Sequence, residues 1–161
     1  MPKILFVCTG NTCRSSMAEG IARQLAAEKG LDVEVASAGV FALPGAPATE
    51  EAVEALQEVD IDISGHRARL LTREMVAEAD LVLTMTAAHR RMVREMAPED
   101  SDKIFTLAEY VGAGGDVPDP LGQPLAVYRE YVERLRGLIG PALERWQREH
   151  RKTEQENGPE T

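Results

Sequence analysis

The fold of this chain is decided by one stretch near its start, Lys3-Ile4-Leu5-Phe6-Val7-Cys8-Thr9-Gly10-Asn11-Thr12-Cys13-Arg14-Ser15-Ser16. The apolar run at its beginning is typical of a buried parallel strand. Residues 15–29 carry apolar side chains at helical spacing on one face. The loop between the two elements therefore ends at a helix N-terminus, as expected at the first turn of an α/β fold.

This loop places a cysteine and an arginine with five residues between them. Amides at a helix N-terminus lack intrahelical partners and point at whatever occupies the loop. Gly10 and Asn11 tolerate the positive φ of a tight ring of amides, and Arg14 can bind two phosphate oxygens at once. The same positive field should favour the thiolate form of Cys8. We therefore predict a phosphate cradle with Cys8 as nucleophile; the alternative is a buried structural cysteine in a Rossmann-like turn.

A second candidate lies in the loop at residues 114–124, which is rich in glycine and proline. Asp119 stands between two prolines, so its backbone is stiff and its carboxyl group points in a fixed direction. A carboxylic acid held over the cradle could protonate the leaving group when a bond to phosphorus breaks. An Asp-Pro pair alone usually marks a turn, and Asp116 competes for the role but lacks flanking prolines. Together with the cradle, we expect Asp119 to be the general acid.

The rest of the chain alternates strands and helices without internal repeats. The predicted strands cover residues 3–8, 32–36, 81–85 and 104–107. The predicted helices cover residues 15–29, 49–59, 72–79, 87–96 and 124–150, with threonine caps expected at Thr49 and Thr72. Such alternation indicates a parallel sheet whose ligand binds at the carboxyl ends of the strands. We expect one domain over residues 1–150 and a disordered polar tail over residues 151–161.

Bulk properties limit the classes of function. A formal net charge of −9 argues against a nucleic-acid partner. No apolar run approaches the roughly 20 residues of a membrane span, and we expect no signal peptide before the first strand. Cys8 and Cys13 cannot build a disulfide framework, so we expect a reducing, cytoplasmic location. No cluster of side chains has metal-ligand spacing, so we expect neither a metal nor another cofactor.

Residues 8–15 and the Asp119-Pro120 pair resemble the two signatures of the low-molecular-weight protein tyrosine phosphatase family, and the resemblance extends over roughly residues 2–148. It implies a flavodoxin-like fold, an α/β single domain with a four-stranded parallel sheet and helices on both faces. It also implies a cysteine-dependent phosphatase that acts on phosphorylated proteins, and we expect it to be a monomer. The implied catalytic residues are Cys8, Arg14 and Asp119. The implied substrate-binding residues are Thr9, Gly10, Asn11, Thr12, Cys13, Ser15 and Phe41.

The resemblance includes two supporting residues. Ser37 belongs to a Ser-Ala-Gly segment that we place after the second strand. His66 matches the family's histidine that braces the cradle through hydrogen bonds with Asn11. The remaining histidines, His89 and His150, we expect to be solvated helix residues.

Departures from the tyrosine-specific pattern favour a different substrate. Thr12 stands where tyrosine-specific members commonly have isoleucine, and Leu121 follows Asp-Pro where they usually have tyrosine. Phe41 is then the only aromatic wall available, whereas a phosphotyrosine ring prefers two. A guanidinium could stack on Phe41 and hydrogen-bond to Asp119. The chain therefore resembles the protein arginine phosphatase branch, with phosphotyrosine as the alternative substrate.

Two rival functions and one regulatory device complete the expectations. Arsenate reductases of the same fold need further cysteines, and none follows Cys13. A non-catalytic phosphoprotein-binding module would predict loss of Cys8 or Asp119, and both are present. Because Cys8 and Cys13 lie at the two ends of one tight loop, they could form a reversible disulfide under peroxide; burial alone would also explain a cysteine at position 13.

Overall fold

A computed structural model describes residues 1–157 of the chain, with side chains described to residue 150. Four strands form one parallel sheet in the order β2-β1-β3-β4. The strands are β1 (Lys3–Cys8), β2 (Glu34–Gly39), β3 (Leu81–Thr84) and β4 (Ile104–Thr106). The helices are α1 (Arg14–Glu28), α2 (Glu50–Gln57), α3 (Arg73–Glu78), α4 (Ala87–Met96), α5 (Leu107–Tyr110) and α6 (Leu125–Asn157), with a 3-10 helix at Pro98–Lys103.

The sheet has a buried core on each face. Alternate residues of a strand point to opposite faces, so Phe6 of β1 packs into one core and Leu5 into the other. The first core contains apolar side chains of α1, α2 and α6, and the second contains Val76 of α3 and Val93 of α4. The α/β fold with a four-stranded parallel sheet and helices on both faces is thereby confirmed.

Strand β2 begins and ends later than predicted. Residues 37–39, which the sequence suggested as a segment following the strand, are its last three residues and pair with Phe6, Val7 and Cys8 of β1. Serine, alanine and glycine have weak strand propensity on their own. Pairing with the central strand overrides that propensity, because it satisfies the backbone hydrogen bonds of the segment.

Helix α6 also continues beyond its predicted end. It reaches Asn157, so the first seven residues of the predicted tail, 151–157, are helical. Their sequence, Arg-Lys-Thr-Glu-Gln-Glu-Asn, contains good helix formers, and the first stop signal is the Gly158-Pro159 pair. The predicted end of this helix at residue 150 was therefore wrong. The division into a domain and a tail stays a prediction, and residues 158–161 of the predicted tail lie outside the described residues. Within residues 1–157, no helix has the length and apolar character needed to cross a membrane.

Candidate active site

Cys8 is the last residue of β1, at the carboxyl edge of the sheet. Strand β2 lies on one side of β1 and strand β3 on the other, so the chain connections on the two sides of β1 run in opposite directions across the sheet. Ligands of open α/β sheets bind at this kind of switch point. The buried thiol sits 2.8 Å from the Ser15 hydroxyl and accepts a hydrogen bond from the Asn11 amide at 3.2 Å. Both contacts would stabilise negative charge on sulfur.

Asn11 holds the cradle loop in shape. It is fully buried and adopts a left-handed conformation with φ 58°, which asparagine tolerates better than most residues. Its side-chain NH2 group donates to the hydroxyls of Ser15 (2.8 Å) and Ser37 (2.9 Å), and its backbone carbonyl oxygen lies 2.6 Å from His66 Nε2. The two supporting residues predicted from sequence, Ser37 and His66, thus both contact Asn11.

Two further contacts of this brace were not predicted. The backbone amide of Arg69 donates to Asn11 Oδ1 at 3.0 Å, and the Ser37 hydroxyl donates to Glu19 Oε1 at 3.1 Å. Every polar atom of the Asn11 side chain therefore has a partner, which fixes the loop against rotation.

The cradle lies directly against the end of β2. A Cβ atom added to Gly39 would be 2.4 Å from the Thr9 carbonyl oxygen and 3.0 Å from the Asn11 amide nitrogen. Position 39 therefore requires glycine because the two backbones approach closely.

Helix α1 begins differently from the four helices that follow it. Helices α2–α5 each start with a threonine whose hydroxyl accepts from an amide of the first turn. Helix α1 has Cys13 at this position, without a side-chain capping bond. Its first amides are therefore not covered by a side-chain cap and face the cradle, where an anion would find both donors and the positive end of the helix dipole.

Arg14 connects the cradle, by hydrogen bonds, to the loop at residues 114–124 that carries Asp119, which we call the acid loop. Its side chain is only 8% exposed. One terminal nitrogen donates to the Val117 carbonyl at 3.2 Å; the other donates to the Thr9 hydroxyl at 3.3 Å and lies 3.8 Å from Asp119 Oδ2. Because an arginine side chain is always protonated in a protein, this is a fixed positive charge beside the thiol.

The acid loop is held in place along its backbone. The Val117 amide donates to the Met85 carbonyl at 2.9 Å, and the Tyr131 hydroxyl donates to the Pro118 carbonyl. Asp119 itself is 48% exposed, and its Oδ1 accepts from the Leu121 amide at 3.0 Å. The structure thus brings Asp119 beside Arg14, as predicted. Asp116, the competing carboxylate, instead accepts from the Ala87 amide at the start of α4.

These groups line a cavity of about 120 Å³. The cavity is lined by residues 8–14 together with Asp119 and Leu121. Phe41, the expected aromatic wall, is outside this lining, and its side chain is 71% exposed, although its amide donates to the Thr9 carbonyl at 2.9 Å. Leu121 was not predicted as a wall residue.

The expectation of a solvated His89 was wrong. The side chain is 5% exposed, and Nε2 lies 2.8 Å from the Thr9 hydroxyl. Burial, with the Arg14 charge as a smaller cause, lowers the pKa of His89 to about 4. The sequence places His89 on α4, but helical spacing alone does not reveal that this side of the helix packs against the cradle loop.

Cys13 is the second buried thiol of the loop. Burial raises its pKa, and hydrogen bonds from Thr12 and Tyr128 oppose that effect. Cys13 is therefore a protonated thiol at neutral pH. Among the described residues, no three histidine, cysteine or acidic side chains are grouped as metal ligands.

Comparison with known proteins places this site in a family. The family model described as low molecular weight phosphotyrosine protein phosphatase matches residues 3–154. The protein-arginine-phosphatase of Bacillus subtilis (strain 168) is 47% identical over 137 residues, which are 84% of this chain and 91% of that protein.

The solved structures that resemble this chain include one named as an arginine phosphatase and one named as a tyrosine phosphatase. A mutant of the YwlE arginine phosphatase with a phosphorylated active-site serine superposes with a TM-score of 0.89, at 43% identity, over 92% of this chain and 98% of that one. A low molecular weight protein tyrosine phosphatase from T. tengcongensis superposes with a TM-score of 0.86, at 53% identity, over 89% of this chain and 99% of that one.

Proposed function

Because the chain belongs to the low-molecular-weight phosphotyrosine protein phosphatase family, we propose that it hydrolyses phosphoarginine on proteins through a phosphocysteine intermediate at Cys8. The observation that carries the mechanism is the position of the thiol. Cys8 Sγ accepts from the Asn11 amide at 3.2 Å at the floor of a cavity that also contains Arg14 and Asp119. A nucleophile, a fixed positive charge and a proton donor thus line one small cavity.

In the first step, the Cys8 thiolate attacks phosphorus. The sulfur–phosphorus bond forms as the phosphorus–nitrogen bond breaks, and the Asp119 carboxyl group gives its proton to the departing guanidine nitrogen. Arg14 and the amides at the start of α1 bind the phosphoryl oxygens, whose negative charge they stabilise.

In the second step, water attacks the phosphocysteine. Asp119, now a carboxylate, takes a proton from the water; inorganic phosphate leaves, and sulfur recovers its electron pair as a thiolate. The Ser15 hydroxyl, 2.8 Å from the sulfur, can donate to that thiolate as it departs.

The lining of the cavity favours phosphoarginine over phosphotyrosine. Thr12 and Leu121 line it, and none of the residues of its lining is aromatic. A phosphotyrosine ring would lack the flat partners that aromatic rings prefer. A guanidinium is smaller across its plane and can donate hydrogen bonds to Asp119 and to the Thr12 hydroxyl. Phe41 remains available at the surface to stack on the guanidinium.

Turnover of two matched peptides tests the substrate. The peptides have the same flanking sequence and carry phosphoarginine or phosphotyrosine at one position. We expect the higher kcat/KM for the phosphoarginine peptide, and no turnover of either by Cys8→Ser. A higher value for the phosphotyrosine peptide would assign the alternative substrate to the same machinery.

The acid role of Asp119 has its own test. Asp119→Ala should slow turnover of phosphoarginine far more than that of an activated aryl phosphate, whose leaving group needs no proton. General acid catalysis contributes about 100- to 10,000-fold, so the difference should be large. Equal slowing of both substrates would remove Asp119 from this role. The matched control is Asp116→Asn, which changes the nearby carboxylate that caps α4.

We also propose that phosphorylated proteins are the substrates and that the enzyme is a cytoplasmic monomer.

A separate proposal is that peroxide reversibly inactivates the enzyme. Peroxide would oxidise the Cys8 thiolate to a sulfenic acid, and attack by the Cys13 thiol on that sulfur would release water and leave a disulfide. Wild type should recover activity with dithiothreitol, and Cys13→Ser should recover much less. Equal recovery, or the absence of a Cys8–Cys13 cross-linked peptide in mass spectrometry, would exclude the switch.

A further inference from the structure

His89 is a buried group outside the cavity that the mechanism above does not use. It lies in the first turn of α4, and both of its ring nitrogens have threonine partners. Nε2 is 2.8 Å from Thr9 Oγ1, and Nδ1 is 2.9 Å from Thr86 Oγ1. Thr86 also caps the helix by accepting from the His89 amide at 3.1 Å. The ring is therefore held at both ends.

Arg14 limits the hydrogen-bond roles that the Thr9 hydroxyl can take. A guanidinium can only donate, so at 3.3 Å from Arg14 Nη2 the Thr9 oxygen acts as acceptor. The Thr9 oxygen keeps a second lone pair as well as its hydrogen, so His89 Nε2 could either accept from Thr9 or donate to it. We assign Nε2 as the acceptor, because the other side-chain partner of the Thr9 hydroxyl is Arg14, which cannot accept its hydrogen. The proton of the neutral ring is then on Nδ1, from which it is donated to Thr86. One continuous chain of hydrogen bonds thus runs from α4 to the guanidinium.

The charges around the ring agree with a neutral histidine. Burial and the Arg14 charge lower the pKa of His89 to about 4, while Asp116 and Asp119 oppose this more weakly. The imidazole is accordingly uncharged at neutral pH. A charged ring would place a second cation beside Arg14 and would remove the acceptor that the Thr9 hydroxyl uses.

We propose that His89 is a positioning residue for Arg14. By accepting from the Thr9 hydroxyl, it turns the Thr9 lone pairs toward the guanidinium and so fixes the orientation in which Arg14 meets the phosphoryl oxygens. The carbonyl of Val117 fixes the other terminal nitrogen at 3.2 Å, so each end of the guanidinium has one oxygen that sets its plane. This inference rests on the proposed phosphate-binding role of Arg14.

A double-mutant cycle tests the coupling. The variants are Thr9→Val, His89→Leu and their combination, measured by kcat/KM for p-nitrophenyl phosphate and by the Kd of inorganic phosphate. Each single variant should lower kcat/KM by about tenfold and weaken phosphate binding similarly, and the combination should be no worse than either. Multiplying effects in the double variant would overturn the proposal, as would unchanged phosphate affinity.

Two further variants separate positioning from a general loss of structure. His89→Gln keeps a side-chain oxygen that can accept from Thr9, so it should recover most of the activity that His89→Leu loses. Equal impairment of the two would contradict the proposal. His150→Leu, which removes the histidine stacked on Trp146 of α6, should leave activity unchanged.

Nitrogen-15 NMR of the histidine rings reads the proton position without any turnover. The expected spectrum of wild type shows His89 as the Nδ1–H tautomer between pH 6 and 8, with the Nε2 shift of a hydrogen-bond acceptor; Thr9→Val should move that shift. An Nε2–H tautomer, or a shift that ignores Thr9→Val, would overturn the proposal even if His89→Leu does not fold. If wild type hydrolyses no phosphate ester, the proposed function fails, while phosphate titration and NMR still decide the role of His89.

Discussion

At the scale of single residues, Thr12 has a backbone that is held in place and a side chain that can be changed. Its carbonyl accepts from the Thr49 amide at 3.0 Å, so the loop is tied to the start of α2 at this point. Its side chain lines the cavity, with the hydroxyl 3.8 Å from Cys13 Sγ. A substitution here should therefore change the wall of the cavity without moving the cradle.

Thr12→Ile should shift preference from phosphoarginine toward phosphotyrosine. The longer apolar side chain fills space beside the guanidinium and removes a hydroxyl that can hydrogen-bond to it. A site that loses a hydrogen-bonding group discriminates less, and we expect the ratio of the two kcat/KM values to change by about tenfold or more. Thr12→Val, which keeps the size and removes only the hydroxyl, separates the two causes. An unchanged ratio in both variants would show that Thr12 is not the specificity filter.

The residues of the site could be predicted from sequence where they form a local motif. Cys8, Arg14 and Asp119, which line one cavity in the structure, could be singled out because short spacing and flanking prolines mark their loops; their catalytic roles stay a prediction. His89 and Tyr131 were missed, since they reach the site through contacts with Thr9 and Pro118 that no spacing records. The sequence analysis noted Leu121 only because it stands where tyrosine-specific members usually have tyrosine. In the structure Leu121 lines the cavity.

At the scale of elements, the cradle loop is pressed against the end of β2. Gly39 makes this possible because it has no Cβ, and any side chain there would overlap the Thr9 carbonyl. Gly39→Ala should therefore displace the cradle and lower both activity and the free energy of unfolding, the latter by about 1–3 kcal/mol. Enzyme assays and urea denaturation measure the two effects.

The matched control is another glycine to alanine change. Gly137 lies exposed in α6, and an added Cβ there meets no atom within 4 Å. Gly137→Ala should keep activity and raise the free energy of unfolding by up to about 1 kcal/mol, because alanine is the better helix former. If Gly39→Ala behaves like Gly137→Ala, the cradle does not depend on this close approach.

Most elements were predictable because their signals are local. The caps at Thr49 and Thr72, and the ends of α4 at Ala87 and Met96, agree with the sequence. The end of β2 was not predictable, since it depends on pairing with β1 rather than on its own residues. The short helix α5 was also missed, because four residues give too little periodicity to detect.

At the scale of the whole molecule, His89 links folding to pH. The folded protein holds the pKa of this histidine at about 4, whereas a histidine in an unfolded chain titrates near 6.5. As pH falls from about 6.5 to about 4, the unfolded state therefore binds a proton that the folded state does not. The free energy of unfolding should therefore decrease as pH falls through this window. Above about pH 6.5 the histidine is neutral in both states and its protonation does not change the free energy of unfolding.

Urea denaturation at pH 7.0 and pH 4.5 measures the effect. Wild type should lose up to about 3 kcal/mol from this one group, and His89→Gln should lose correspondingly less over the same interval. His150→Asn retains His89 and should behave like wild type. The same pH dependence in His89→Gln and wild type would show that other groups, such as carboxylates, account for the loss.

The proposed reaction makes Cys8 carry the phosphoryl group between the two steps, and this intermediate can be located directly. The enzyme is mixed with a phosphoarginine peptide, quenched in denaturant during turnover, digested and analysed by mass spectrometry. We expect phosphate on the peptide that contains Cys8, and none on it when the substrate is left out. Phosphate on a different residue, or steady turnover with no covalent phosphate at any quench time in wild type and Asp119→Ala, would contradict the proposed reaction.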